Sequence, residues 1–194
     1  MKKNRTGTKK FPALILFLLG FLSGNLIPNI IWKAKWQQKT WASVYFLSTF
    51  AGKNTGNIEY LKEILKLPGV ELKEEEVLPG RFNLCAELLG ADQTLPALIF
   101  ICHMDTVVVG DGWTLPPFRA LEQDNKIYGR GACDMKSGLA CCTTAFVHAA
   151  ALTQQKHKKP KRTLKLICTV DEEDFMRGSE QCIKSGWVGK DDWI

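Results

Sequence analysis

No two of the seven cysteines stand in the C-x-x-C spacing of a zinc knuckle, which removes that class of metal module. They are Cys85, Cys102, Cys133, Cys141, Cys142, Cys168 and Cys182. They sit in apolar surroundings, and most read as small core side chains. Thiols of that kind point to a reducing compartment, or to burial beyond the reach of oxidants. No segment repeats, so a solenoid or propeller is excluded. There is no low-complexity stretch beyond two short basic runs. Nor is the chain basic throughout. Its net charge is +6, and five basic residues fall in the first ten positions with five more in residues 156–162. Charge so local excludes a nucleic-acid binder that works through a broad basic face.

One segment lacks charge altogether. Residues 11–32, FPALILFLLGFLSGNLIPNIIW, follow a basic tail at 1–10. About twenty apolar residues span a bilayer, but Ser23, Gly24, Asn25, Pro28 and Asn29 interrupt the second half. The unbroken apolar part, 13–22, has the length of a signal-peptide core, yet no small-x-small cleavage site follows. The preferred reading is an uncleaved signal anchor. A cleaved signal peptide and a buried soluble helix are the alternatives. Lys and Arg are denser before the segment than after it, which puts the body outside the cytoplasm, membrane-anchored or secreted. The cysteines pull toward the opposite compartment. Trp32, Trp36 and Trp41 suit an interfacial belt, or simple packing on a first helix.

The rest is enough for one domain with a proper core. Residues 33–55 read as a linker and first helix, with helix over 36–51. Residues 56–194 form the domain. Within it, 57–67 is a helix with Ile58, Leu61, Ile64 and Leu65 on one face, ended by Pro68-Gly69. Strands are expected at 70–78 and 82–89, parted by Pro79-Gly80. Residues 97–105, ALIFICHMD, form a central strand whose lack of alternation signals burial on both faces. A Gly/Pro-rich loop at 109–118 and a short strand at 127–128 lead to a helix over 134–154. Met135, Leu139, Cys142, Phe146 and Ala149 recur there at helical spacing. Residues 155–162 form a solvated basic loop, 163–170 a buried strand, 179–185 a short helix, and 192–194 the start of a further strand. Strands alternating with helices predict an α/β domain, a layered sheet with flanking helices.

Three clusters can do chemistry: His103-Met104-Asp105, the run 129–136 (GRGACDMK), and Asp171-Glu172-Glu173-Asp174. His103 and Asp105 share one face of a strand because side chains alternate. The first and third clusters end apolar strands, and the second joins a strand to a helix. Open α/β sheets bind ligands at such strand ends. Each cluster alone has a plain explanation: a hydrogen-bonded histidine, Asp134 as a helix N-cap, a solvated acidic loop. Their coincidence points to a metal. One imidazole with several carboxylates suits zinc, manganese or cobalt, and not copper(I) or an iron–sulfur cluster.

In order and spacing, PGRFNL (79–84), HMDT (103–106), WTLPPF (113–118), IYGRGACDMKSGLA (127–140) and TVDEE (169–173) resemble the M20 family of metallopeptidases and amidohydrolases. That group includes acetylornithine deacetylase, succinyl-diaminopimelate desuccinylase, aminoacylase and glutamate carboxypeptidase. The resemblance covers about 56–194 and implies a zinc-exopeptidase-like sheet. It implies two divalent metal ions, zinc before cobalt or manganese. His103 then ligates one metal, Asp134 bridges both, and Glu173 ligates the second. Glu172 is the general base, and Asp105 supports His103. The chemistry implied is hydrolysis of an amide bond in a small substrate or peptide with a free carboxylate. Glu172 and Glu173 are adjacent, so both serve one site only if the chain turns there.

In the family each metal takes one further protein ligand from later in the chain, and a lid or dimerisation domain is inserted. These 194 residues carry neither feature. His148, in a helix, and His157, in a basic loop, do not substitute. The expectation is the N-terminal part of a longer enzyme, homodimeric at full length, with weak metal binding and no useful activity alone. The rival is a non-catalytic membrane-anchored α/β module. A phosphoesterase is disfavoured, because the D-x-H order and an Asn-rich loop are missing. Trp113 and Phe118 line a substrate mouth or pack on the core. Lys136 is expected in solvent rather than on a substrate carboxylate, and Cys133 as a packing residue.

Overall fold

The computed structural model describes residues 54–194, with side chains from Asn57 onward. The basic tail, the apolar segment 11–32 and the helix expected over 36–51 lie outside the described residues. Among the described residues, no helix is long and apolar enough to cross a membrane.

Helix α1 (Asn54–Leu65) buries the face that the spacing predicts. Ile58, Leu61, Ile64 and Leu65 are all buried, with Tyr60 beside them. Gly69, at φ +77, then turns the chain into β1 (Val70–Leu78). This strand is charged along most of its length, as suits a sheet edge. It pairs antiparallel with β2 (Arg81–Leu88) across a turn in which Gly80 has φ +70.

β2 does not pair with the next long strand, β3 (Leu98–His103). It pairs antiparallel with β6 (Leu164–Thr169), and β6 pairs parallel with β3, so the sheet order is β1-β2-β6-β3. Register sets Cys102 opposite Cys168 and His103 opposite Thr169. Both parallel strands therefore stop at one level, and whatever follows each is delivered to the same end of the sheet. The further strand foreseen at 192–194 begins beside β3: the Trp193 N–H donates to Ala97 O at 2.9 Å, and the Ile99 N–H to Trp193 O at 2.8 Å.

The crossover from β3 to β6 holds a small hairpin and helix α2 (Gly138–Lys156). The hairpin is β4 (Leu121–Gln123) with β5 (Lys126–Tyr128), and β4 was not foreseen. Asp124 and Asn125 both take positive φ, as a two-residue hairpin turn requires. Helix α2 and α1 cover one face of the sheet, with Leu61, Leu84, Leu139, Phe146 and Leu166 in one cluster. Fully burying each such side chain contributes about 1.5–3 kcal/mol. Helix α3 (Arg177–Lys184) covers the other face, where Cys182 meets Cys85, Ile99 and Ile167.

Two expectations are corrected here. Helix α2 begins four residues later than Asp134, after a wide turn, Ala132–Ser137, in which Asp134 has extended backbone (φ −116, ψ 107) and caps nothing. The cysteines also divide. Cys85, Cys102, Cys168 and Cys182 are buried, whereas Cys133 and Cys141 are exposed, so Cys133 is not a packing residue.

Candidate metal centre

The site gathers where β3 and β6 end. The Val170 N–H donates to Asn83 Oδ1 at 3.1 Å, and Asp171 then takes φ +66. This left-handed residue swings the chain out of strand geometry before Glu172 and Glu173, which supplies the turn that two adjacent glutamates need. Asn83, fully buried on β2, also donates from Nδ2 to Gly178 O at 2.8 Å. One amide thus holds both ends of the acidic loop.

His103 is buried. Its Nδ1 lies 3.1 Å from the Asp105 backbone carbonyl, which can only accept, so a neutral His103 with its proton on Nδ1 donates there and keeps its lone pair on Nε2. Nε2 then faces Asp134 Oδ1 at 3.1 Å and Glu172 Oε2 at 3.6 Å. One ligand atom each from His103, Asp134 and Glu173 fall within 4.8 Å of one another. An imidazole lone pair against carboxylate oxygens calls for positive charge between them. The donor set, one nitrogen and carboxylate oxygens, fits zinc, cobalt or manganese. Cys133, next to Asp134, is not in the group.

Asp105 sits differently from a simple imidazole orienter. Its backbone carbonyl, not its carboxylate, takes the Nδ1 proton. The carboxylate accepts the Glu173 N–H on Oδ2 at 3.1 Å, with Arg81 Nη2 3.9 Å away. Oδ1 lies 3.8 Å from His103 Nδ1 and has no hydrogen-bond partner. Asp105 therefore ties the β3 end to the acidic loop.

The wide turn that carries Asp134 is pressed onto the same strand end. Gly131 has φ +76, and a Cβ there would lie 2.5 Å from the Thr106 methyl, so only glycine fits. The His103 N–H donates to Met135 Sδ at 3.2 Å. Lys136, expected in solvent, is completely buried. Its ammonium donates to Met104 O, which also accepts from Asn57 Nδ2 at 3.2 Å. Burial pulls the Lys136 ammonium down to about 8, against the pull of the Asp105 charge.

The acidic run is not one solvated loop. Asp171 is completely buried, and Asp174 is exposed. Asp171 Oδ1 accepts from Arg81 Nη1 at 3.0 Å and Arg177 Nη2 at 2.9 Å, and Oδ2 accepts from Arg177 Nε. The Arg177 hydrogen bonds, ahead of the charges of Arg177 and Arg81, hold this carboxyl below the ordinary carboxylate range. Sequence reasoning missed this triad. The available signals were Arg81 in PGRFNL and Arg177 soon after the run. Trp113 and Phe118 are both substantially exposed, and Trp113 is held locally, donating to Val109 O at 2.8 Å with Arg130 over its ring.

An imidazole and carboxylates at the ends of parallel strands, in a helix-flanked sheet, define an α/β protein with a candidate metal centre. Residues 99–193 match the model of Peptidase family M20/M25/M40. A "Probable succinyl-diaminopimelate desuccinylase" of Staphylococcus epidermidis is 35% identical over 133 residues, covering 67% of this chain and 31% of that protein. A protein of the same description from Staphylococcus aureus is 30% identical over 149 residues, covering 76% and 35%. Aminopeptidase PepT of Bacillus cereus superposes with a TM-score of 0.53 at 25% identity, over 74% of this chain and 39% of that one. The LapA aminopeptidase of Legionella pneumophila shares the fold, with a TM-score of 0.54 at 18% identity, over 96% and 45%. The chain belongs to the M20 family and carries part of its catalytic domain. It spans about a third of the length of the curated relatives it matches.

Proposed function

We propose that this chain contributes the metal-binding half of an M20-type amidohydrolase or peptidase. The observation that carries the reading is the convergence of His103, Asp134 and Glu173, with ligand atoms within 4.8 Å. His103 and Asp134 would hold one divalent cation, and Asp134 and Glu173 a second, zinc before cobalt or manganese. Bound there, the cations would supply Lewis acidity to a scissile carbonyl and to water. Glu172, on the rim of the cluster with its side chain 37% exposed, takes a proton from the attacking water and returns it to the departing amine nitrogen. Asp105 keeps Glu173 in place through its backbone. The substrate class is a small N-acyl amino acid or peptide with a free carboxylate.

Three ligands shared by two cations fall short of the three per metal usual in catalytic zinc sites. Zinc binding by these 194 residues is therefore weak, and turnover by them alone is negligible. Titration with zinc under calorimetry tests the centre. His103→Ala is expected to remove the binding, and binding unchanged by that substitution overturns the reading. Rapid hydrolysis of N-succinyl or N-acetyl amino acids by this chain overturns the ligand shortfall. The same reading includes an anchor at residues 11–32, checked by retention in membranes after carbonate extraction, and a full-length homodimer, checked by sedimentation.

A further inference from the structure

We infer that Lys136 is a positioning residue for the metal centre: its buried side chain pins the turn bearing Asp134 to the strand end bearing His103 and Asp105. The inference rests on the proposed metal site and concerns how that site keeps its shape.

Lys136 is among the largest fully buried side chains of the described residues. It stands two residues after Asp134, and its ammonium crosses to the carbonyl of Met104, the residue between His103 and Asp105. The same carbonyl accepts from Asn57 of α1. A second tie runs alongside, from the His103 N–H to Met135 Sδ. A third tie closes the turn on itself, from the Lys136 N–H to Gly131 O at 2.8 Å. The turn is otherwise poorly anchored at the position that matters, because the Asp134 side chain is 75% exposed and, among the described residues, its one close polar contact is His103 Nε2. Helix α2 starts only at Gly138, and its first N–H reaches back to Met135 O rather than to Asp134. What sets the 3.1 Å approach of Asp134 Oδ1 to His103 Nε2 is the pair of contacts from Met135 and Lys136.

Packing alone would not select this residue. A lysine stem fills the volume of a methionine, and burying an ammonium costs free energy that an apolar end does not. A buried cation with one carbonyl as its described hydrogen-bond acceptor, and with the Asp105 charge near it, makes sense as a fastener between the two ligand-bearing segments. Groups that hold metal ligands in place typically change metal affinity by about 10–100-fold when removed.

The test uses the full chain and cobalt(II), followed by its visible absorption, with thermal unfolding of the metal-free protein measured in parallel. For Lys136→Met the unfolding temperature is expected to hold or rise, while cobalt affinity falls about tenfold and the absorption band shifts. Lys136→Gln keeps a donor on a shorter arm and should lie between the two. It also replaces Lys136→Met if that variant does not fold. Cobalt affinity and spectrum unchanged in the variant overturn the inference. Loss of affinity only in proportion to lost stability overturns it as well, since that is what a purely structural lysine gives. Wild-type chain that binds no cobalt overturns the proposed metal centre and this inference with it, whereas wild-type binding matched by the variant overturns the inference alone.

Discussion

Asp171 carries no expected metal-ligand role, yet it holds the loop that presents two glutamates. Replacing it with asparagine keeps the shape and removes the charge that Arg81 and Arg177 meet. Because both arginines reach solvent, the cost should stay near that of lost charge-assisted hydrogen bonds, about 1–3 kcal/mol at neutral pH. The sign with pH follows from its lowered carboxyl. Its contribution is complete above the unfolded value of about 3.9 and disappears as pH falls through the lower, folded value. Urea unfolding at several pH values should therefore show the Asp171→Asn deficit shrinking below about pH 4. A deficit constant from pH 7 to 3 would contradict the triad. The clusters holding His103, Asp134 and Glu173 were legible as ligand types at strand ends, which the structure brings together, while their separate roles came only from the resemblance. The sequence did not display Asp171 or Lys136 as buried. An acidic residue in DEED and a lysine after Asp-Met look solvated until distant partners, Arg81 and the Met104 carbonyl, close over them.

The four long strands were legible to within two residues, because Pro68-Gly69 and Pro79-Gly80 punctuate the chain; β1 occupies 70–78 as expected, whereas the short β4 was not legible. Nor was the start of α2. Apolar spacing continues from Met135 through Leu139, but the Asp134 and Met135 backbone is held off helix by contacts to β3. Local pattern cannot report such a tertiary override. Helix α3 begins two residues earlier than expected and brings Gly178 against the β6 end. A Cβ at Gly178 would lie 2.2 Å from Val170 O and 2.8 Å from Asn83 Oδ1. Gly178→Ala should then destabilise by about 1–3 kcal/mol, as overpacked sites do. It should also weaken zinc binding, because the displaced segment carries Glu172 and Glu173. Equilibrium unfolding with calorimetric titration measures both, and an alanine without effect on either would show that α3 is free to shift.

Across the molecule, order should grade from β6 outward. β6 pairs on both sides and is buried along most of its length, whereas β1 is a charged edge. Amide hydrogen exchange should be slowest in Leu164–Thr169 and fast in Val70–Leu78. The reverse order would place the stable unit in the hairpin instead. Phe146→Ala, in the main core, should cost about 3–5 kcal/mol, read from the urea midpoint. That α1 and α2 each pack on the sheet was implied by their apolar spacing, but neither their shared face nor the strand order was, because composition cannot say that β2 skips β3 to meet β6.

That skip sets a timetable for synthesis. Leu84 on β2 pairs with Cys168 on β6. A ribosome making about 5–20 residues per second leaves the inner edge of β2 without its neighbour for on the order of ten seconds. Until then the nascent hairpin offers bare amides and carbonyls to any passing strand. The charges along β1 blunt only the outer edge. The strand that ends this exposure is the one that swings Glu172 and Glu173 into position, so the hazard closes and the candidate site forms in the same event.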